Sequence, residues 1–307
     1  MRVARSIQEL VGNTPLLQIT HFDLPEGVTL YAKLEYFNPG GSVKDRLGLE
    51  LIADAERNGQ LQPGGTIIEP TAGNTGIGVA LAAIGTGYRV IFCVPEKFSR
   101  EKQELMRALG AQVVNTPTEQ GIVGAIAKAK ELAAAIPGAF VPQQFANPAN
   151  PLAHYKTTGP EIWEQLDGLV DIFIAGAGTG GTFTGAARFL KEKNPRLLAC
   201  IVEPTGSVLR GGQVGPHKTE GIGVEYIYPT LDISLADEIY TVTDEDAFAM
   251  VKELAAREGC LVGSSSGAAF FAALQEAKRH GPGTNMVVIF PDSSERYLSK
   301  QIYQGGI

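Results

Sequence analysis

Three cysteines, one tryptophan and four histidines are few for 307 residues, and each shortage excludes something. Cys93, Cys200 and Cys260 are odd in number and far apart, each inside an apolar run. They read as buried reduced thiols of a cytoplasmic chain, not as a disulfide framework. Neither they nor His21, His154, His217 and His280 show metal-ligand spacing, so no metal is expected. Long apolar runs are also missing. None approaches the roughly 18 residues of a membrane span, so no membrane partner is expected. Met1–Leu10 is charged early and has no apolar core, so no signal peptide is expected. No cluster of Lys and Arg stands out, and the net charge is -7. A nucleic acid partner would require a basic patch, so none is expected.

What is present is a regular alternation. Short Val- and Ile-rich runs predict strands at Leu30–Leu34, Thr66–Glu69, Arg89–Val94, Gln112–Asn115, Asp171–Ala175, Leu198–Glu203, Glu238–Val242 and Met286–Phe290. They are continuous rather than alternating, as strands buried on both faces are. Helix-period segments lie between them, near 44–58, 74–84, 100–109, 121–135, 160–165, 182–193, 246–258 and 266–279. Repeated βα units imply an α/β fold with parallel sheets. The breaker cluster Asn147-Pro148-Ala149-Asn150-Pro151 is the best candidate for a domain crossing, and no internal repeat is visible. Many of the 37 glycines fall at predicted strand ends, where open α/β sheets bind ligands.

Four of these strand-to-helix segments carry chemistry. Gly176-Ala177-Gly178-Thr179-Gly180-Gly181-Thr182 exposes consecutive backbone N–H groups at a helix N-terminus, a natural phosphate site. It also fits G-x-G-x-x-G, with Glu203 22 residues beyond Gly181, so a dinucleotide-binding oxidoreductase is a rival reading and a plain tight turn a third. Gly263-Ser264-Ser265-Ser266-Gly267 fits the G-x-S-x-G elbow of hydrolases. The order Ser, acid, His fails there, however, unless Glu276 pairs with His280. Thr71-Ala72-Gly73-Asn74-Thr75-Gly76 offers hydroxyls, an amide and N–H donors suited to a carboxylate, or simply a helix cap. Asn38 to Arg46 places Lys44 at the start of a helix after a Gly-Gly-Ser turn. Most such lysines are solvated charges. A desolvated one at a helix N-terminus has a lowered pKa and serves as a Schiff-base nucleophile.

Together, Gly12-Asn13-Thr14-Pro15-Leu16, Asn38 to Arg46, Thr71 to Gly76, Gln144 to Pro148, Gly178 to Thr182, Gly263 to Gly267 and Pro291 to Ser299 are similar to the cysteine synthase and cystathionine β-synthase family. These are fold-type II, β-family enzymes that depend on pyridoxal 5′-phosphate (PLP). The resemblance covers essentially the whole chain, and several motifs in order are more specific than any single one. It implies two three-layer α/β domains of the tryptophan synthase β-subunit type with PLP in the cleft between them. The smaller, mobile domain would span 40–150, and the larger 151–307 with 1–39 added. It implies Lys44 as the residue that joins the cofactor and, once displaced, takes the α-proton. Asn74 would face the ring 3′-oxygen, Gly178, Thr179, Gly180, Gly181 and Thr182 would cradle the phosphate, and Ser265 would face the ring nitrogen. Thr71, Ala72, Gly73, Thr75, Gln144 and Gly221 would hold the amino-acid substrate. A hydroxyl at the ring nitrogen does not stabilise a pyridinium, which should favour elimination over a long-lived carbanion.

The implied reaction is β-replacement on O-acetylserine, or serine, by a thiol, in a homodimer. Glu69-Pro70-Thr71, Ala72, Val202 to Ser207 and Glu220 to Gly223 look more like bacterial O-acetylserine-dependent cystathionine β-synthases than plain cysteine synthases. With 11 residues ahead of Gly12 and ten after Tyr297, neither the haem-binding extension of animal enzymes nor a regulatory tail is expected. A non-enzymatic module kept on the same fold is a further alternative, against which the intact Lys44, Asn74 and Ser265 argue.

Overall fold

A computed structural model describes residues 3–71 and 73–304. Among them the strands in chain order are β1 (Leu16–Gln18), β2 (Thr29–Leu34), β3 (Thr66–Pro70), β4 (Arg89–Pro95), β5 (Gln112–Thr116), β6 (Ala139–Phe140), β7 (Ile172–Gly176), β8 (Leu198–Pro204), β9 (Glu238–Val242) and β10 (Asn285–Phe290). The α-helices are α1 (Lys44–Arg57), α2 (Asn74–Ala83), α3 (Arg100–Ala108), α4 (Gly121–Ala135), α5 (Ala149–Lys156), α6 (Thr158–Gln165), α7 (Gly181–Lys193), α8 (Asp244–Glu258) and α9 (Ser264–Ala277). The fold class is α/β, as the alternating pattern implied.

The chain forms two compact units: residues 1–11 with 44–149, and residues 12–43 with 150–307. The first carries an all-parallel sheet in the order β5-β4-β3-β6. Successive side chains of a strand leave opposite faces. Ile67, Val90, Phe92 and Val94 therefore meet Leu47, Leu51, Ile77 and Met106 from α1, α2 and α3. Ile68, Ile91 and Cys93 meet Ala125 and Ala129 of α4. The second unit carries a six-stranded sheet, β1-β2-β10-β7-β8-β9, parallel except for the β1–β2 pair. Ile174, Val202 and Val288 pack beneath α8 and α9, while Phe173, Ile201 and Val287 pack beneath α6 and α7. Burial on both faces explains why these strands read as unbroken apolar runs.

Several features differ from the sequence-based expectation, among them the N-terminal 11 residues, which group with the first unit rather than with the second. β1 and β6 were not expected, being only three and two residues long. The breaker cluster holds the start of a helix, α5. The Asn147 side chain accepts the Ala149 N–H at 2.9 Å, and Pro151 sits in the first turn, where no backbone donor is required. Helix α8 begins two residues earlier than expected, because the Thr243 hydroxyl accepts the Asp246 N–H at 3.1 Å.

Candidate active site

In the first unit, Lys44 opens α1 and Asn74 opens α2. The two helices cross at glycines. A Cβ on Gly48 would lie 2.8 Å from Val79 N, and one on Gly78 would lie 2.7 Å from the Lys44 carbonyl carbon. Backbone approach this close needs Gly at both positions and fixes the start of α1 one turn from the start of α2. The Thr71–Gly76 loop folds on itself, with Gly73 N–H donating to the Thr71 hydroxyl at 3.3 Å. Gln144, 6% exposed, comes to the same place: its Oε1 accepts the Thr75 hydroxyl at 2.7 Å. The structure thus brings Thr71, Gly73, Thr75 and Gln144 together. Ala72 lies outside the described residues.

Just ahead of this loop sits a carboxylate noted in the sequence only as part of the Glu69-Pro70-Thr71 tripeptide, with no role of its own. Glu69 is 1% exposed and accepts the N–H groups of Gln143 at 3.1 Å and Gln144 at 3.4 Å. Burial pushes its pKa up, and the two donors hold it down less, so it rests at about 7. The unfolded chain releases this proton near 4.5 and the folded chain keeps it to about 7. Between those values the folded state binds more protons, so stability declines as pH rises, and the decline ends above 7. Unfolding midpoints of wild type and Glu69→Gln, compared from pH 5 to 8.5, should show the variant gaining on wild type as pH rises. A constant difference would contradict this.

In the second unit the loop 176–182 leads from β7 into α7. Gly180 is left-handed at φ 83, and Gly180 and Gly181 have no room for a Cβ, which would strike Leu231 and the Asn150 amide respectively. Thr179 is held from three sides. Asn150 Nδ2 donates to its hydroxyl at 2.9 Å, Gly181 N–H donates to the same oxygen at 3.4 Å, and the Thr230 hydroxyl donates to its carbonyl at 2.6 Å. The Thr182 hydroxyl lies 3.2 Å from His154 Nε2. Asn150, His154 and Thr230 were missed in the sequence, since they lie far from the loop in the chain. The result is a rigid nest of N–H groups at the N-terminus of a 13-residue helix, which suits a phosphate. Gly181→Ala should therefore displace Asn150 and Thr179. Overpacking of this kind costs about 1–3 kcal/mol. If the nest holds the phosphate of the cofactor that the resemblance implies, PLP titrated into apoprotein should bind the variant about tenfold or more weakly; unchanged affinity would place the phosphate elsewhere.

Ser265 lies in the first turn of α9 and is 4% exposed. The segment Glu220–Gly223 runs between it and the nest. Glu220 N–H donates to the Ser264 hydroxyl at 3.0 Å, and Gly223 N–H donates to the Ala177 carbonyl at 2.8 Å. Gly221, left-handed at φ 84, has its Cβ position 3.9 Å from the Ser265 hydroxyl, and its carbonyl closes over Gly178. Nest, Gly221 and Ser265 therefore form one continuous surface. The strand end at Pro291–Ser293 accepts two further backbone donors from its own unit. Val43 N–H donates to the Pro291 carbonyl at 2.9 Å, and Gly263 N–H donates to the Asp292 carbonyl at 3.1 Å. The Gly12–Leu16 motif is structural: Gly12 N–H donates to Asn38 Oδ1 at 2.8 Å and the Thr14 hydroxyl to Glu35 at 2.7 Å, while buried Lys33 donates to the Thr14 carbonyl at 2.6 Å.

The rival chemistries lose their residues here. Glu203, the acid a dinucleotide ribose would need, accepts Leu209 N–H, Arg210 N–H and the Thr241 hydroxyl at 2.8–3.1 Å. Glu276 and His280 pair at 2.6 Å, but Glu276 lies 11 residues along α9 from Ser265, about 16 Å at the helical rise, and His280 lies beyond the helix end, so they cannot activate it.

Residues 7–292 match the family profile described as pyridoxal-phosphate dependent enzyme. The chain belongs to this family. The PLP-dependent enzymes most similar to it include the O-acetylserine dependent cystathionine beta-synthase of Bacillus subtilis, 61% identical over the full length of both chains. The cysteine synthase of Helicobacter pylori is 53% identical, over 99% of this chain and all of that one. A crystal structure of the O-acetylserine dependent cystathionine beta-synthase from Helicobacter pylori superposes with a TM-score of 0.93 at 53% identity, covering 99% of this chain and all of that chain. The residues present fit a PLP cofactor. The nest suits its phosphate, the Ser265 hydroxyl an uncharged ring nitrogen, and the Lys44 amine its aldehyde. Among the described residues, no helix is long and apolar enough to cross a membrane.

Proposed function

We propose that this PLP-dependent enzyme catalyses β-replacement on O-acetylserine by a thiol, making cystathionine from homocysteine, with cysteine formation from sulfide as a second activity. The observation that carries the reading is the rigid nest joined through Gly221 to a buried serine hydroxyl, together with full-length identity to O-acetylserine-dependent relatives. When bound, PLP supplies the electron sink that makes the α-proton acidic and the β-substituent a leaving group. Lys44 would hold the cofactor covalently and, once displaced by the substrate amine, its own amine would take the α-proton and later return it. Thr71, Gly73, Thr75 and Gln144, with Ala72, would fix the substrate carboxylate and so the direction of the Cα–H bond. Gly178–Thr182 would anchor the phosphate, Asn74 the ring oxygen and Ser265 the ring nitrogen without adding charge, with Gly221 beside the substrate. A homodimer in the cytoplasm is the proposed setting.

The thiol is the finer question, because the two Helicobacter pylori relatives carry different names. Sulfide needs only access. Homocysteine brings an amine and a carboxylate, and leaving each buried without a partner would cost roughly 1–3 kcal/mol. The Gly-rich stretch from Gly211 to Gly223 offers room for that end of the molecule, and Glu225, or Glu220 in exchange for its ion pair with Lys300, would meet its amine. A competition assay with O-acetylserine, sulfide and homocysteine should yield mainly cystathionine. Cysteine alone at saturating homocysteine would make the protein a plain cysteine synthase.

A further inference from the structure

Strands β3 and β8 end in the same tripeptide, Glu69-Pro70-Thr71 and Glu203-Pro204-Thr205, one in each unit. In both the glutamate is 1% exposed. Each carboxylate also accepts two consecutive backbone N–H groups: Gln143 and Gln144, 74 and 75 residues on, for Glu69, and Leu209 and Arg210, six and seven residues on, for Glu203. The Glu69 case has a further element. Gln143 is a non-glycine residue in the left-handed region, at φ 57. That conformation is disfavoured for a side chain of its kind and persists only where its surroundings enforce it. The enforcement is visible: the Glu69 carboxylate grips the N–H of Gln143 and of the next residue. The turn made at Gln143 is what delivers the Gln144 side chain to the Thr75 hydroxyl.

We infer that Glu69 is a positioning residue for the substrate carboxylate: its side chain holds the strained Gln143–Gln144 turn in the one arrangement that presents Gln144 beside Thr75. This rests on the reading of Gln144 as a carboxylate-binding residue. Glu69 touches neither substrate nor cofactor in this scheme. Its effect passes through the backbone, so it should govern binding of the amino-acid substrate more than turnover.

The test compares Glu69→Gln, Glu69→Ala, Gln144→Ala and Glu203→Gln in the PLP-loaded enzyme, with sulfide as the thiol. Glu69→Gln keeps the shape and one acceptor but puts an N–H group against the second donor. KM for O-acetylserine should rise roughly tenfold with kcat changed less than about twofold, the pattern of lost uniform binding. Glu69→Ala should raise KM further. Titration of the visible cofactor band with O-acetylserine should show the same weakening without turnover. In the apoprotein, amide hydrogen exchange at Gln143 and Gln144 should speed up in both Glu69 variants. Glu203→Gln removes the matching grip in the other unit and should leave KM for O-acetylserine unchanged. A wild-type KM in folded Glu69→Gln and Glu69→Ala, with Gln144→Ala impaired, overturns the inference. An equal rise in Glu203→Gln also overturns it, since the effect would then be general loosening. A wild-type KM in Gln144→Ala overturns the underlying reading of Gln144 and the inference with it.

Discussion

Lys44→Ala should abolish thiol-dependent product formation, by at least about a thousandfold, or some 4 kcal/mol of barrier. The protein should stay folded. Lys44 is the first residue of α1, and the apolar face of that helix is built from Leu47, Leu51, Ile52 and Ala55, all left intact. Alanine is also the best helix former. The loss should be chemical on two counts: the amine that attaches the cofactor and the base that takes the α-proton are one group in this scheme. The visible band of the covalently attached cofactor should disappear from the purified variant, while its unfolding temperature stays close to wild type. In the proposed scheme Gly178–Thr182, and not Lys44, would hold the phosphate, so reversible PLP binding should survive. Normal turnover in a folded Lys44→Ala protein would sink the assignment.

Ser265→Asp is the second large effect. The position lies in the first turn of α9, where a negative charge is favoured by the helix dipole, so the helix itself tolerates the change. The site, however, is 4% exposed, and a buried carboxylate there must find a positive partner or take up a proton. The partner at hand would be the cofactor's ring nitrogen, driven to its protonated form. A carboxylate there would favour the protonated ring, whose stronger pull on charge at the α-carbon would oppose prompt departure of the β-group. β-Replacement should slow by at least about tenfold, near 1.4 kcal/mol of barrier. The visible absorbance band should move or weaken at the same time. Unchanged spectra and rates would place Ser265 away from the cofactor.

Much of the fold was legible in the residues. β4 and β8 are buried almost throughout and appear as unbroken runs of Val, Ile, Phe, Cys and Ala, which amphipathic helices or half-exposed strands would not show. The glycine loop after β7 was equally legible, and it forms the nest of N–H groups that opens α7. The short strands β1 and β6 were not legible. Two or three residues carry too little periodicity, and such strands exist only because a neighbour offers a ladder to join. Helix α5 was hidden for the opposite reason, as Asn and Pro signal a break unless the proline falls in a first turn.

By itself the sequence determined the α/β class, the strand-to-helix loops that carry the chemistry, and a lysine, an asparagine, a serine and a glycine-rich loop in an order that matches one family. Residue type and local spacing suffice for these, because a nest, a cap or a helix N-terminus is built from neighbours in the chain. Only the tertiary structure decided what supports them. Asn150, His154 and Thr230 brace the nest from 28 to 51 residues away. Gly48 and Gly78 let two helices touch, and Glu69 grips a turn 74 residues further on. It also withdrew Glu203 from a ribose and His280 from Ser265. The bracing of the nest, the helix crossing and the grip on the turn rest on hydrogen bonds and close contacts between segments remote in sequence, whose partners are chosen by the packing of the sheet and not by any local preference.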